Sequence, residues 1–396
     1  MRFGAAHHVL RVRKPHEHSR VTFVELFFDL VFVFAITQLS HFLIEHFTLT
    51  GVLQTALLFL AVWWVWIFTS WVTNWLDPDT TPVRLMLFAL MLAGLILSTS
   101  IPQAFENRAL TFAGAYVLMQ VGRSLFMLWC LRANSPGNYR NFQRITAWLL
   151  LSSVFWIAGA FATAELRFAF WALALVIEYV SPAAGFWTPG LGRSTTVDWD
   201  VEGDHIAERC GLFVIIALGE SVLVTGATFA KLEWTWPVVA AFVVAFASSV
   251  AMWWIYFNIG AERARLRIAD SDNPGRYARI AYTYVHLLPI AGIILSAVSD
   301  ELILAHPTGH TDLKTAATTI GGPALFLIGN ILFKRIMTGR PTLSHWVGLA
   351  LLGLLAPCAL FLMPLAFGAC ATAILITVAI WETRSFSRAK TVDLSL

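Results

Sequence analysis

The sequence contains few charged residues, and this scarcity indicates the class of protein. Asp, Glu, Lys and Arg make up only 13% of the 396 residues, whereas apolar residues make up 58%. A soluble domain is typically about a quarter charged and about half apolar. Seventeen Trp and 30 Phe residues add to the apolar excess. The composition therefore predicts an integral membrane protein whose main partner is the lipid bilayer.

The sequence also lacks the motifs that would indicate catalysis or a bound cofactor. It contains no Gly-rich loop followed by Lys and Ser or Thr to hold phosphates, which argues against ATP-driven transport by this chain alone. No Ser-His-Asp or His-Glu-x-x-His pattern indicates an active site, and a net charge of +3 does not indicate nucleic-acid binding. We therefore predict no enzyme activity, no cofactor, no metal site and no nucleic-acid partner.

The four cysteines follow neither a disulfide pattern nor a zinc pattern. Cys130, Cys210, Cys358 and Cys370 have no paired spacing and lie in or beside apolar segments. Isolated cysteines in such segments behave as small apolar side chains. All four are therefore predicted to be buried thiols.

Apolar stretches of about 20 residues, long enough to cross a bilayer, occur twelve times in the chain. They cover approximately residues 21–43, 51–75, 83–104, 110–131, 143–163, 167–187, 205–229, 236–260, 278–300, 316–336, 343–363 and 365–384. With the N-terminus inside, 21 of the 27 Lys and Arg residues fall in cytoplasmic segments and only four in outside loops. This bias follows the positive-inside rule and predicts that both termini are cytoplasmic. The predicted fold class is an all-α integral membrane protein with about twelve transmembrane helices.

Short matches between the two halves of the chain indicate an internal duplication. In chain order they pair residues 25–38 with 208–220, 63–66 with 253–256, 93–98 with 291–296, 122–126 with 329–333, and 177–178 with 380–382. Six spans per half give both halves the same orientation, so we predict two parallel six-helix repeats related by an axis along the membrane normal. The predicted order is a basic cytoplasmic tail (1–20), the first repeat (21–187), a cytoplasmic linker (188–204), the second repeat (205–385) and a cytoplasmic tail (386–396).

Two acids in the first span are the leading functional candidates, because ionisable groups inside an apolar span are costly. Glu25 and Asp29 are four residues apart and so share one face of a helix. Two close carboxylates can bind a cation or share a proton; alternatively, a neighbouring arginine neutralises them. Arg123, near the middle of the fourth span, is the predicted partner of one of these acids, although its side chain could instead extend toward the headgroups. Gln38 is a further polar candidate on the first helix.

The seventh span carries a second group of candidates. Arg209 and Glu220 are eleven residues apart, close to three helical turns, and so share a face. Glu208 and Arg209 could instead occupy the cytoplasmic interface, where charge costs less. Glu220 lies deeper and follows Gly219, a residue that lets helices approach closely. We therefore predict that Glu220 faces the interior of the bundle.

Glu178 in the sixth span and His286 in the ninth are the other deep ionisable groups. His286 precedes Pro289, and a titratable ring in a kinked helix would suit a proton relay. A hydrogen-bonded structural histidine is the simpler interpretation. The tryptophans between residues 63 and 75 are predicted to pack mainly against lipid and to anchor the helix at the membrane interface.

The candidates of the first and seventh spans lie in two long motifs. The first reads Glu25-Leu-Phe-Phe-Asp29-Leu-Val-Phe-Val-Phe-Ala-Ile, followed by Gln38-Leu-Ser-His. The second reads His205-Ile-Ala-Glu208-Arg-Cys-Gly-Leu-Phe-Val-Ile-Ile-Ala-Leu-Gly-Glu220-Ser. These motifs resemble the two signatures of the bacterial low temperature requirement protein A family. The resemblance covers nearly the whole chain and implies a multi-pass protein of the bacterial inner (cytoplasmic) membrane. The family name refers to growth in the cold, and the resemblance implies no particular biochemical activity.

Residues 28–37 are also similar to the first helix of non-canonical potassium channels with a Phe-Ser-Asp motif. Those channels have six helices per repeat, and their first helices line the pore. This chain departs from the motif, because Phe28 replaces the serine and Gly211 replaces the aspartate in the second half. The similarity implies a related fold and does not imply potassium selectivity.

The sequence thus favours a transporter or channel for a small cation or a proton, with a path between the two repeats. Asp29, Gln38 and Glu220 would contribute polar contacts along the path. The alternative is a non-transporting membrane scaffold or stress-linked regulator whose buried charges only fasten helices together. Acids that face a cavity would favour transport, whereas acids sealed against arginines would favour the scaffold. Assembly into a homo-oligomer is compatible with either function.

Overall fold

The computed structural model describes residues 9–11, 21–132, 135–195, 201–258, 274–339 and 342–393. Within these ranges the regular secondary structure is helical, which confirms the predicted all-α class. Eleven of the helices in the described ranges are long and apolar enough to cross a membrane. The protein is therefore a multi-pass membrane protein.

The chain divides into two compact units, Met1–Arg209 with Asn273–Arg276, and Cys210–Asp272 with Tyr277–Leu396. The first unit contains α1 (Phe23–Glu45), α2 (Leu49–Trp75), α3 (Thr81–Ser100), α4 (Ala109–Leu131), α5 (Pro136–Phe161) and α6 (Ala164–Val180). Helix α7 (Gly203–Phe229) begins in the first unit and continues into the second. The second unit contains α8 (Trp236–Phe257), a π-helical segment (Ala278–Val285) that leads into α9 (Leu287–Ala305), then α10 (Leu313–Thr338), α11 (Leu343–Leu355) and α12 (Pro364–Asp393).

Local sequence signals explain several helix ends. Thr22 and Glu25 form a capping box at the start of α1, in which each residue satisfies a free amide group. Asp312 caps α10 by accepting a hydrogen bond from the Thr315 N–H at 2.8 Å. Hydrogen bonding by the Thr315 side chain, and then by this N–H, lowers the pKa of the exposed carboxyl. Gly339 ends α10 with a φ of 68°, a backbone conformation that glycine adopts without strain.

The sixth helix lies a few residues earlier than the predicted span at 167–187. It begins at Ala164 and ends at Val180, because Pro182 and Gly185, with a φ of 62°, form a turn directly afterwards. Arg167 is in the first turn of α6. Its guanidinium donates to the Ala162 carbonyl oxygen at 3.0 Å and so caps the end of α5.

The tryptophans of α2 are inside the first unit, so their predicted lipid-facing position is wrong. Trp63, Trp64 and Trp66 are all fully buried. Helix α2 packs against α1, α4 and α6, and such a central helix has little surface left for lipid. Trp64, for example, stacks on Tyr179 of α6 with ring centroids 4.0 Å apart.

The prediction that all four cysteines are buried is correct only for Cys130 and Cys210. Cys358 is half-buried and Cys370 is exposed, because both lie on outward faces of the second unit. No disulfide joins any of the four in the described part of the chain.

The same four helix pairings occur in each unit. In the first unit α3 packs on α4, α4 on α5, α5 on α6, and α2 on α6. Their counterparts in the second unit also pack together, α9 on α10, α10 on α11, α11 on α12, and α8 on α12. These are the pairings that a duplicated six-helix repeat would produce, and the duplication itself stays a prediction.

Candidate functional site

The first unit contains a buried charge cluster centred on Arg209. This side chain lies between the two acids of α1, donating from Nη1 to Glu25 Oε1 at 3.1 Å and from Nη2 to Asp29 Oδ1 at 2.6 Å. The three side chains are 0% exposed. Residues four apart on a helix stand one above the other, so Glu25 and Asp29 reach the two terminal nitrogens of one guanidinium. The two predicted acids and the predicted arginine of α7 therefore form a single site.

Glu25 also connects the cluster to the start of α1. Its Oε2 accepts hydrogen bonds from the backbone N–H of Thr22 at 2.9 Å and from the Thr22 hydroxyl at 3.0 Å. The same oxygen accepts from Arg11 Nη2 at 3.1 Å. Glu25 thus caps the helix and contacts two arginines, which holds its carboxylate in one position.

Asp29 is bound through one carboxylate oxygen only. Oδ1 accepts from Arg209 and from the indole N–H of Trp66 at 2.8 Å. The Trp66 ring also lies beside the Arg209 guanidinium, 5.9 Å from ring centroid to Cζ, within the range of a cation–π contact. Asp29 Oδ2 has no hydrogen-bond partner within the described part of the chain.

His205, in the first turn of α7, connects Glu25 to Asn74. Its Nε2 lies 2.9 Å from Glu25 Oε1 and its Nδ1 lies 3.4 Å from the Asn74 amide nitrogen. A neutral ring with its proton on Nε2 would donate to Glu25 and accept from Asn74, and Arg11 Nη2 lies 3.2 Å from the same Nε2. Asn74 additionally exchanges two hydrogen bonds with the backbone of Glu202, at 2.8 and 3.0 Å. These contacts explain why the first residues of α7 belong to the first unit.

Charges within the cluster balance. Glu25 and Asp29 carry two negative charges, Arg11 and Arg209 carry two positive charges, and His205 is neutral in the arrangement above. Removing charges from water is expensive unless each charge is paired and hydrogen-bonded. Among the described residues every charge of the cluster is paired and the formal charges sum to zero, while Asp29 Oδ2 and Arg209 Nε lack a hydrogen-bond partner.

Arg123 does not pair with Asp29 or Glu25, so that prediction is wrong. Its guanidinium donates to the Val65 carbonyl oxygen at 3.1 Å and to the Thr69 hydroxyl at 2.8 Å. It also donates to the side chain of Gln120. Arg209 occupies the position beside the acids of α1, whereas Arg123 projects from α4 onto α2.

Glu178 forms a separate polar cluster between α4, α5 and α6. Its carboxylate accepts hydrogen bonds from Tyr116 at 2.5 Å, Gln120 at 3.0 Å, Ser152 at 2.7 Å and Trp156 at 3.0 Å. Four donors satisfy the two oxygens, and each of the four is a neutral group. Because every donor comes from a neighbouring helix, this cluster fastens α6 to α4 and α5.

The remaining predicted residues occupy different environments. Glu208 is exposed and accepts from the Val21 N–H at 3.3 Å, so it lies outside the buried cluster. Gln38 is half-buried on α1, and Glu220 is buried in the part of α7 that belongs to the second unit. His286, between the π-helical segment and α9, contacts the Tyr256 hydroxyl through Nε2 at 2.8 Å.

Comparison with known proteins assigns the family. The profile of the bacterial low temperature requirement A protein (LtrA) family matches residues 20–380. The chain belongs to this family. A relative from Rhizobium meliloti (strain 1021), described as an uncharacterised protein, is 43% identical over 382 residues, which cover 96% of this chain and 93% of the relative. No solved structure matches the chain.

The LtrA match confirms the resemblance that the two motifs indicate, and it includes the acids of α1 together with Arg209. Arg11 lies outside the matched range, and sequence reasoning assigned it to the cytoplasmic tail. Its backbone N–H donates to the Trp75 carbonyl oxygen at 2.9 Å, which brings its side chain to Glu25. Trp66 was also missed, because an indole in an apolar span indicates packing before it indicates a hydrogen-bond donor.

Proposed function

We propose that this LtrA protein moves a small cation or a proton across the cytoplasmic membrane, as a transporter or channel rather than an enzyme. The proposal includes two parallel six-helix repeats with both termini in the cytoplasm, supported by the bias in Lys and Arg placement. Among the described residues the formal charges of the cluster in the first unit sum to zero, so it offers no net charge to a transported cation. We therefore look to the second unit for that role.

The observation that carries the proposal is the environment of Asp300. This residue of α9 lines a cavity of about 20 Å³ within the second unit. Within the described ranges its carboxylate has no salt bridge and no hydrogen bond. A carboxylate among apolar membrane-spanning helices is costly unless a proton or cation neutralises it. Transport of such a species would explain the presence of an acid at this position.

Reconstitution into liposomes tests the proposal. Proton and cation flux would be measured with entrapped dyes or isotopes for the wild type, for Asp300→Asn, and for Asp312→Asn as a control outside the membrane. We expect flux in the wild type and the control and its loss in Asp300→Asn. Absence of flux for every cation and for protons, with correctly folded protein, would reject transport.

A scaffold function is the second candidate, and the sealed cluster around Arg209 favours it. Asp29 is completely buried and paired with an arginine, the arrangement expected for an acid that fastens helices. This function predicts that substitutions in the cluster lower the stability of the protein while no flux is found in any variant. The liposome assay therefore separates the two candidates.

A further inference from the structure

The cavity beside Asp300 has the composition of an ion-binding site rather than a packing defect. Six side chains with oxygen atoms surround it, from α8, α9, α10 and α12: Ser248, Ser296, Ser299, Asp300, Thr319 and Thr372. A cavity left by imperfect packing of membrane helices would be lined mainly by apolar atoms. Its volume of about 20 Å³ has room for a single particle the size of a water molecule.

Ser296 provides a second, independent indication of a ligand. Its side chain is 5% exposed and lines the cavity, yet its hydroxyl oxygen has no hydrogen-bond partner in the described residues. Buried hydroxyls nearly always have a partner in protein or in a bound species. Ser299 and Thr319, by contrast, bond to each other at 2.6 Å, so each still has lone pairs to offer.

A proline interrupts the hydrogen-bond ladder of α10 beside the cavity. Pro323 has no N–H, so it cannot donate to the carbonyl oxygen of Thr319 four residues earlier. Both residues line the cavity. Carbonyl groups released in this way are tolerated at membrane depth where they face a cavity, and they are suitable ligands for hard cations.

Glycines bring α9 and α10 close enough to build this site. A Cβ atom on Gly292 would lie 2.5 Å from the backbone nitrogen of Phe326. A Cβ atom on Gly322 would collide with the Ser296 hydroxyl. Small residues at such crossings let backbones approach closely, and here they place the hydroxyls of α9 against the interrupted turn of α10.

We propose that this cavity binds one dehydrated monovalent metal cation, for which Na⁺ is the appropriate probe. One carboxylate balances one positive charge, whereas a divalent ion would leave an uncompensated charge among apolar helices. The volume excludes a cation that keeps its hydration shell. The site rests on the proposed transport function, since it names the transported species, but binding is measurable without flux.

The closing experiment measures Na⁺ binding to the purified full-length protein in detergent at about pH 8. Thermal unfolding would be followed during titration with NaCl against choline chloride at constant ionic strength, with LiCl, KCl and MgCl₂ as comparisons. Ligands that bind only the folded state raise its unfolding temperature. We expect a saturable rise with Na⁺ in the wild type that choline and Mg²⁺ do not produce.

Two variants test the assigned ligands, and one serves as a matched control. Asp300→Asn should abolish the response to Na⁺. Ser296→Ala should raise the Na⁺ concentration for half-saturation by roughly ten-fold or more, comparable to losses seen when groups that support a metal ligand are removed. Because the Ser296 hydroxyl has no recorded bond in the described residues, this variant should fold even if Asp300→Asn does not. Glu301→Gln changes the adjacent acid, which does not line the cavity, and should respond like the wild type.

Each outcome supports or overturns the site. No response of the wild type to Na⁺, Li⁺ or K⁺ beyond that to choline would overturn it, even if liposomes show proton flux and transport stands. An unaltered response in Ser296→Ala and Asp300→Asn, or an equal loss in Glu301→Gln, would also overturn it. Specific Na⁺ binding without any flux would support the site and reject transport.

Discussion

Replacing Arg209 with methionine removes the positive charge at the centre of the cluster while keeping a side chain of similar length. Among the described residues Glu25 then keeps Arg11 as its charged partner and Asp29 loses its arginine, so the buried cluster acquires one net negative charge. Breaking a fully buried ion pair in this way typically costs about 3–5 kcal/mol. We expect Arg209→Met to lower the free energy of unfolding by an amount in this range.

A second substitution separates the effect of charge from that of packing. Asp29→Asn combined with Arg209→Met restores neutrality, because Glu25 keeps Arg11 as its partner. Residues in one network commonly show interaction energies of about 0.5–3 kcal/mol. The double variant should therefore be more stable than Arg209→Met alone.

Unfolding of the purified variants by denaturant in detergent, followed by tryptophan fluorescence, would provide the measurement. Arg84→Met is the matched control, since Arg84 forms a solvent-exposed ion pair with Asp79 at 3.1 Å. Exposed pairs contribute at most about 1 kcal/mol. The reasoning is refuted if Arg209→Met is no less stable than Arg84→Met, or if adding Asp29→Asn lowers stability further.

Three further predictions concern hydrogen bonds that the structure records. Trp66→Phe removes the donor to Asp29 and should lower the free energy of unfolding by about 1.5–3 kcal/mol, measured in the same denaturant assay. Glu178→Gln places an amide among four donors; it should cost about 1–3 kcal/mol and loosen α6, seen as faster amide exchange there. Asp312→Ala removes the cap of α10 and should cost about 1 kcal/mol at neutral pH. Because Thr315 lowers the folded-state pKa of Asp312, this contribution is present above the unfolded-state pKa and is lost as the pH falls through the folded-state pKa, which unfolding at a series of pH values would show.

The class of the protein and most of its helices could be predicted from composition and apolar periodicity. Both signals depend on local sequence, since about 20 apolar residues suffice to cross a bilayer whatever lies around them. The helix capping box of Thr22 and Glu25 is likewise a local pattern. The predicted end of the sixth span lies beyond the observed end of α6, because the apolar stretch continues past the turn at Pro182.

The partners of the buried charges could not be predicted in the same way. Helical spacing places Glu25 and Asp29 on one face, but it does not say which helix covers that face. Arg123 and Arg209 were both available in apolar surroundings, and only packing decides that Arg209 reaches the acids. The tryptophans of α2 show the same limit, because an indole is equally compatible with lipid and with a helix interface.

By itself, the sequence determined that this is a multi-pass helical membrane protein of the LtrA family and that acids and arginines lie within its spans. Tertiary structure decided which of those charges are neutralised. Arg11 and Arg209 cancel the acids of α1, whereas Asp300 lies beside a cavity formed where glycines let α9 and α10 approach. The physical reason is that the cost of a buried charge depends on atoms brought close by packing, and those atoms are distant in the sequence.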